Sequence, residues 1–332
     1  MSTSEHSPAG TSFFARRRFV MSMLALGFIF MLLMPRYNLL NPYLQQVLMY
    51  IGINIILAES LNLVNGFMGE FSVGHAGFMS IGAYVASILT VKIIPESLQA
   101  AGFPFAVVAG GLAAAAVGFL VAIPSFKIRG DYLAIVTLAL NMIVKSVFEN
   151  IDAIGAARGF MGMDRLTTPA WVFFWAVATV WVIRNFLYSS LGRGMLSIRE
   201  DEIACELMSV NTRKVKITVF VVSSFFAGVA GGLFAHLIQY INPGMFDIIK
   251  STDILIMIYL GGIGSITGAI MGATAYTVVL EVFRSLGVWR MVILPFLLIV
   301  LMIFRPRGII GIKEFFWLLP RTDRRIRAGK KE

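Results

Sequence analysis

Charged residues and cysteine are scarce in this 332-residue chain. Asp, Glu, Lys and Arg together make up 14% of it, whereas hydrophobic residues make up 58% and the mean hydropathy is +0.82. Repeated apolar runs approach the roughly 20 residues that a helix needs to cross a bilayer. The composition argues against a soluble protein and predicts an all-α polytopic membrane protein. The only cysteine, Cys205, excludes an internal disulfide.

Motifs for phosphate binding, metal binding and nucleophilic catalysis are missing as well. Without G-x-x-x-x-G-K-[ST] the chain has no loop of its own for ATP hydrolysis, so any ATP dependence must come from a separate subunit. Neither H-E-x-x-H nor G-x-S-x-G occurs, and the histidines His6, His75 and His236 are far apart in the sequence. We therefore expect no catalytic residue, metal site or cofactor site in this chain.

The formal net charge of +10 comes from basic residues beside apolar spans. They cluster in an N-terminal arm (1–18), a central polar loop (192–216) and a C-terminal tail (305–332). Basic residues concentrate on the cytosolic side of membrane proteins, which explains this pattern better than binding to nucleic acid does. Arg16, Arg17 and Arg18 precede an apolar run that has no small-residue cleavage site after it, so we expect a retained signal anchor.

About ten transmembrane segments are predicted in a membrane domain that covers 19–304. They are 19–34, 43–64, 71–91, 103–124, 133–151, 170–187, 217–241, 254–260, 266–283 and 291–304. Ten segments place both termini and the basic loops in the cytosol. The short eighth segment depends on Gly261, Gly262 and Gly264, which indicate a break in one long apolar run. A broken helix is acceptable where its freed backbone groups are buried in protein or line a polar cavity.

Small residues at four-residue spacing predict close helix packing, because lipid supplies no hydrophobic drive for helix association. The two sets are Gly228 with Gly232, and Gly264 with Gly268 and Gly272.

Glu59 is an ionisable residue on the second predicted span, together with Asn54 and Asn62. Such a group is costly at bilayer depth and implies a polar partner or a water-lined path. An interhelical hydrogen bond is the structural alternative, and the sequence leaves both open.

Three polar residues of the fifth predicted span, Asn141, Lys145 and Glu149, recur every four residues and so share one face. Lys145 can pair with Glu149 on that face. We expect the face to point into the bundle, with a structural role favoured over substrate contact.

The central loop contains a short amphipathic pattern in which Ile203, Leu207 and Val210 share one face. Acidic residues cover the remaining surface: Glu200, Asp201, Glu202 and Glu206. Helices that lie on membranes usually present Lys and Arg to anionic lipid, so the acidic face favours a protein partner.

Several ordered motifs resemble one family, the LivM-type permeases of branched-chain amino acid ABC importers. They are GEFSVGHAGFMSIGAY (69–84), RGDYLAIVTLAL (129–140), GRGMLSIREDEIACELMSVN (192–211), FFAGVAGGLFA (225–235), LGGIGSITG (260–268) and FRPRGIIG (304–311). The resemblance covers nearly everything after the first span.

This resemblance implies a bacterial inner-membrane importer that takes up leucine, isoleucine and valine by alternating access. The implied partners are a LivH-like permease, two LivG/LivF-like ATPases that use ATP and Mg, an extracytoplasmic amino-acid-binding protein and membrane lipid. In such importers a short cytosolic helix of the permease sits in a cleft of the ATPase, a role that 192–211 matches. The implied coupling residues are Gly192, Arg193, Ile198, Arg199, Glu200, Asp201, Glu202 and Ala204.

Candidates for the translocation path or its gating are Glu59, Gly74, His75, Gly77, Asn141, Lys145, Gly261, Gly262 and Gly264. For the glycines, simple packing is the alternative. Family members often carry an acidic residue in the fifth span, where this chain has Met142 beside Asn141. Urea, short amides and other amino acids therefore remain alternative cargoes. A gradient-driven secondary transporter remains an alternative to the ATP-driven importer.

Overall fold

The computed structural model describes residues 11–37, 40–127, 132–208 and 210–289, with scattered positions between 292 and 314. The described part is all-α apart from two short strands, as the sequence predicts. Its helices are α1 Thr11–Arg36, α2 Pro42–Asn62, α3 His75–Ile88, α4 Gln99–Ser125, α5 Tyr132–Glu149, α6 Pro169–Leu187, α7 Ser190–Glu200, α8 Glu202–Leu207, α9 Thr212–Ile238, α10 Ile248–Gly261 and α11 Ile266–Val282.

Shorter elements join these helices. π-Helical segments Leu63–Met68 and Leu89–Ile93 extend α2 and α3. The strands β1 Phe160–Met161 and β2 Tyr240–Ile241 pair antiparallel, with Phe160 opposite Ile241. The 3-10 turns are Glu96–Leu98, Asp152–Ile154, Ala156–Arg158, Pro243–Phe246 and Phe283–Trp289.

Polar caps set the starts of helices α7, α9 and α11. The hydroxyl of Ser189 accepts a hydrogen bond from Gly192 N at 3.2 Å, and Asn211 Oδ1 accepts one from Lys214 N at 2.9 Å. Ser265 Oγ accepts from Gly268 N at 3.0 Å in the same way. Each cap satisfies an N–H group that has no partner within its own helix.

Seven helices of the described residues are long and apolar enough to cross a membrane. They are Pro42–Met68, His75–Ile93, Glu96–Ser125, Tyr132–Glu149, Pro169–Leu187, Thr212–Ile238 and Ile266–Ser285. They coincide with the second to seventh and the ninth predicted spans. In the first predicted span, the apolar helix Ala25–Arg36 is shorter than these seven and is not counted among them. The last predicted span and the tail 305–332 lie largely outside the described residues, so the total of ten stays a prediction.

The eighth predicted segment has the wrong bounds. It was expected at 254–260, but α10 begins at Ile248, where Asp247 Oδ1 accepts a hydrogen bond from Ile249 N at 3.2 Å. The predicted break is confirmed, since α10 ends at Gly261 and α11 begins at Ile266.

The two ends of the bundle carry different elements, which we name the ribbon end, with β1 and β2, and the loop end, with α7 and α8. Helix α10 runs from one to the other. At its ribbon end Lys145 of α5 forms an ion pair with Asp247 at 3.4 Å. Glu149 is a possible partner for Lys145 on the same helix, but the structure joins Lys145 to Asp247 of the neighbouring segment.

Glycines allow close contacts between several of the helices. Helix α9 packs against α3 and α4, where a Cβ added at Gly231 would overlap the carbonyl oxygen of Met79, and one at Gly228 would lie 2.6 Å from Ala114 Cβ. Helices α10 and α11 meet where a Cβ on Gly272 would overlap the Met257 carbonyl. The packing predicted for Gly228, Gly268 and Gly272 is confirmed. Gly264 does not share this contact, because it lies in the connection after α10.

Candidate coupling and translocation sites

The predicted amphipathic helix of the central loop is two helices. α7 ends at Glu200, and Asp201 takes an extended conformation (φ −159°, ψ 108°). Its carboxylate then accepts a hydrogen bond from Ala204 N at 3.0 Å and so starts α8. Asp201 therefore acts as an N-cap between two short helices, which a single helical periodicity does not anticipate.

Helix α8 differs from the prediction mainly in its apolar residues, which are exposed. Glu202 Oε1 lies 2.7 Å from Lys216 Nζ of α9, and Glu206 accepts a hydrogen bond from the Thr212 hydroxyl at 3.3 Å. The apolar side points outward, with Ile203 66% and Leu207 81% exposed. Of the acidic residues predicted on the outer face, Glu200, Asp201 and Glu206 are exposed, whereas Glu202 is partly buried because its carboxylate pairs with Lys216 at the start of α9.

The helix α7 packs its buried side on the end of α6 and on α9. Gly192 is buried, and a Cβ there would overlap the carbonyl oxygens of Phe186 and Leu187. Ile198 is buried on the same side, whereas Arg193 and Glu200 are exposed, as is Ala204 on α8. The predicted coupling residues thus divide between an inner packing face and an outer face.

Arg199 joins the end of α7 to two irregular segments. Its Nη1 donates a hydrogen bond to Gly66 O of the π-helical segment at 2.8 Å. A Cβ added at Gly264 would lie 2.8 Å from that same nitrogen. The α7 helix therefore contacts both the end of α2 and the break between α10 and α11.

The break itself is held by α2. Asn62 Nδ2 donates to Ser265 O at 3.1 Å, and Asn62 Oδ1 accepts from Gly264 N at 2.9 Å. Gly262 (φ 126°) and Gly264 (φ 75°) adopt backbone conformations that favour glycine. Gly261 instead packs on α11, where a Cβ would overlap Gly268 O. The three glycines predicted for gating thus form one connection, and whether it moves stays a prediction.

The glycines at the start of α3 bring α5 close. A Cβ on Gly74 would overlap the carbonyl oxygen of Thr137, and one on Gly77 would lie 3.2 Å from Asn141 Cα. The structure therefore gathers Gly74, Gly77 and Asn141 into one contact. The buried Asn141 Oδ1 has no hydrogen-bond partner among the described residues.

His75 lies beside this contact in a buried polar cluster. Its Nε2 is 2.7 Å from Ser60 Oγ of α2, and Ser223 Oγ of α9 donates to Ser60 O at 2.6 Å. The hydroxyl of Ser251 on α10 accepts from Ala76 N at 3.1 Å. The cluster therefore connects α2, α3, α9 and α10 in the interior of the bundle. The serines are a part of it that sequence reasoning missed, because small hydroxyls are common helix-packing residues.

Glu59 is fully buried, and both of its carboxyl oxygens lack a hydrogen-bond partner among the described residues. Its neighbours Asn54 and Asn62 do bond to other segments, Asn54 Nδ2 donating to Thr277 Oγ1 at 2.9 Å. Burying a carboxyl without a partner is costly. Glu59 therefore remains the candidate that simple helix packing explains least well.

Lys216 was missed as a site residue. Its Nζ contacts Glu70 Oε1 at 2.6 Å as well as Glu202, and its side chain is 8% exposed. Its position at the start of a long apolar helix is the signal that could have identified it, because ionisable residues in such helices are usually paired.

Comparisons with known proteins agree with this architecture. The family model described as branched-chain amino acid transport system / permease component matches residues 43–304, which is more than half of the chain. The chain is 33% identical over 293 residues to the high-affinity branched-chain amino acid transport system permease protein LivM of Escherichia coli, covering 78% of this chain and 68% of that protein.

The matches to two further relatives extend over most of the length of those proteins. A probable branched-chain amino acid transport permease protein LivM of Methanocaldococcus jannaschii is 23% identical over 80% of this chain and 93% of that protein. The permease protein LivH of Escherichia coli is 26% identical over 82% of this chain and 96% of that protein. No solved structure matches the chain significantly. With its multi-pass helical fold and a family match over most of its length, the chain belongs to the permease components of branched-chain amino acid transport systems.

Proposed function

We propose that this chain is one permease subunit of an ATP-driven importer for branched-chain amino acids. It would form the translocation path with a second, LivH-like permease in a bacterial inner membrane. The observation that carries the proposal is the α7–α8 unit, which presents an exposed apolar edge, Ile203 and Leu207, at one end of a bundle whose family is a transport permease. An apolar edge in an otherwise polar loop is typical of a surface that a protein partner covers.

The partner that best fits this edge is a cytosolic ATPase. The sequence carries no phosphate-binding loop, so the work of ATP hydrolysis with Mg would belong to two LivG/LivF-like subunits. Basic residues at the loop end, among them Arg193, Arg213 and Lys214, favour a cytosolic location for it. The ribbon end would then face outward and receive substrate from an extracytoplasmic binding protein.

The cargo proposal follows the names of the relatives, which are branched-chain amino acid permeases. The buried polar cluster around His75 and Asn141 would supply polar groups for the amino and carboxyl ends of an amino acid. In an alternating-access cycle, movement of α7 and α8 by the ATPases would open and close the path beside this cluster.

Radiolabelled leucine uptake tests the proposal in a strain that lacks this chain, with and without its complementation. We expect uptake to be lost on deletion, restored by the chain, and inhibited mainly by isoleucine and valine. Urea, short amides and other amino acids serve as competitors for the alternative cargoes. Unchanged leucine uptake on deletion would contradict the cargo.

A second measurement tests the energy source. This chain should copurify with its permease partner and the two ATPases, and uptake should stop when a partner ATPase is inactivated. Uptake that persists without ATPases and collapses with the proton or sodium gradient would identify a secondary transporter instead.

A further inference from the structure

Lys216 lies between the coupling helix α8 and the non-helical connection that leads from α2 to α3. We name residues 69–74 the α2–α3 connection. The Nζ atom of Lys216 is 2.6 Å from Glu70 of this connection and 2.7 Å from Glu202 of α8. One ammonium group therefore links two segments that lie far apart in the sequence.

Burial makes this bridge unlike an ordinary surface ion pair. The Lys216 side chain is 8% exposed, against 22% for Glu70 and 40% for Glu202. Charges at low exposure are weakly screened by salt, and an ammonium group left there with fewer partners is strongly unfavourable. A displacement of α8 away from the connection would therefore leave Lys216 with one ion-pair partner instead of two in a largely buried position.

The surroundings of the bridge contain other charges. Lys127, Arg213 and Glu206 line a polar cavity of about 240 Å³ together with the three bridging residues. Arg213 Nη2 donates to Ile123 O at 3.3 Å, and Glu206 accepts from Thr212, so both have contacts outside the bridge. Among the described residues, Lys216 forms ion pairs with both α8 and the connection.

The α2–α3 connection leads directly into the buried polar cluster. Val73 N donates to Thr137 Oγ1 of α5 at 3.1 Å, and the next residues are Gly74 and His75. At its other end Gly69 packs on the side chain of Arg199, with an added Cβ 3.0 Å from Arg199 Cγ. A shift of the connection would therefore displace residues at the contact between α3 and α5.

We propose that Lys216 is a positioning residue that makes α8 and the α2–α3 connection move together, so that displacement of α8 by an ATPase reaches the polar cluster of α3 and α5. This inference rests on the proposed function and names the residue that transmits the movement.

The test uses the full complex in proteoliposomes with its binding protein, and it measures ATPase activity with and without leucine. We expect Lys216→Met to lower the substrate stimulation of ATPase activity by about tenfold, a typical size for coupling between linked sites. Lys216→Arg should restore most of it. Lys214→Met is the matched control, since Lys214 is exposed two residues away on the same helix.

An uncharged triple variant distinguishes two roles of Lys216, the transmission of movement and the neutralisation of two carboxylates. Glu70→Gln, Lys216→Met and Glu202→Gln together leave no buried charge unpaired, so the chain should assemble with its partners. We expect this variant to remain uncoupled. Recovery of wild-type stimulation in the triple variant would overturn the proposal, because Lys216 would then serve only to neutralise two carboxylates.

Distances between spin labels supply a measurement that would not change if Lys216 had only a structural role. Labels at Met208, at the end of α8, and at Phe71 of the connection, both exposed, are placed in a Cys205→Ser background. Their distance should stay constant through the ATP cycle in the parent chain and change in the triple variant. Equal behaviour of the two proteins would overturn the proposal.

The two hypotheses fail in different ways. A parent complex without leucine-stimulated ATPase activity would contradict the proposed function. A parent complex with normal stimulation, matched by Lys216→Met, would contradict the role of Lys216 alone.

Discussion

The contact of α9 with α3 and α4 and the loop end of the bundle are held together by different physical means. In the first, helix backbones touch through glycines such as Gly231 and Gly82, and little space is left for movement. At the loop end, Arg199 and Lys216 bridge irregular segments through hydrogen bonds and ion pairs. The difference teaches that one region can serve as a rigid body while the other has contacts able to shift as a unit.

The strongest test of this comparison adds one methyl group to the rigid region. Gly231→Ala places a Cβ against the Met79 carbonyl, and we expect a loss of about 3 kcal/mol in stability, at the upper end for overpacking. Thermal unfolding in detergent measures it. Gly194→Ala on α7 is the control, because its Cβ would meet nothing closer than 3.6 Å. Equal melting temperatures for the two variants would contradict the rigid contact.

The exposed edge of α8 should tolerate changes that the rigid contact does not. Ile203→Asp with Leu207→Asp is expected to leave folding intact, because both side chains are exposed. Binding of the ATPases should weaken by about a hundredfold, or about 2.7 kcal/mol. Copurification of the complex measures this loss.

The control for the edge is Met161→Asp, an exposed apolar residue at the ribbon end. Undiminished ATPase binding by the double variant, with normal folding, would show that α8 is not the docking edge.

The break between α10 and α11 should respond to a change of backbone freedom. Gly262→Ala forces an alanine toward φ 126°, which costs about 2 kcal/mol in strain. We expect normal expression but reduced uptake if the break acts as a gate. Gly287→Ala, also at positive φ but with open space around it, controls for strain alone. Normal uptake by Gly262→Ala would remove the gating hypothesis.

The smallest expected effect is at an ordinary interhelical hydrogen bond. Asn54→Leu removes the contact with Thr277 and should cost about 0.6 kcal/mol, as such bonds do within membranes. A double-mutant cycle with Thr277→Val measures the coupling. A much larger coupling energy, or a loss of uptake at equal stability, would place Asn54 on the path rather than in the packing.

Several features of the fold depend only on residues that are close together in the sequence. The apolar lengths of the spans and the glycines of the break are readable because each acts on its immediate neighbours. Helix spacing allows Lys145 to pair with Glu149 by the same local reasoning, but in the structure Lys145 pairs with Asp247. A residue four positions away on a helix is only one of the partners that a long side chain can reach.

The sequence by itself determined the membrane class, most of the spans, the break near Gly262 and, through its ordered motifs, the family. Only the tertiary structure decided which way α8 faces, that Asp201 divides the coupling segment, and that Lys216 joins Glu70 to Glu202. The physical reason is the range of the interactions. Helix formation and hydrophobic burial depend on composition over short windows, whereas an ion pair between residues 146 positions apart depends on how the helices between them pack.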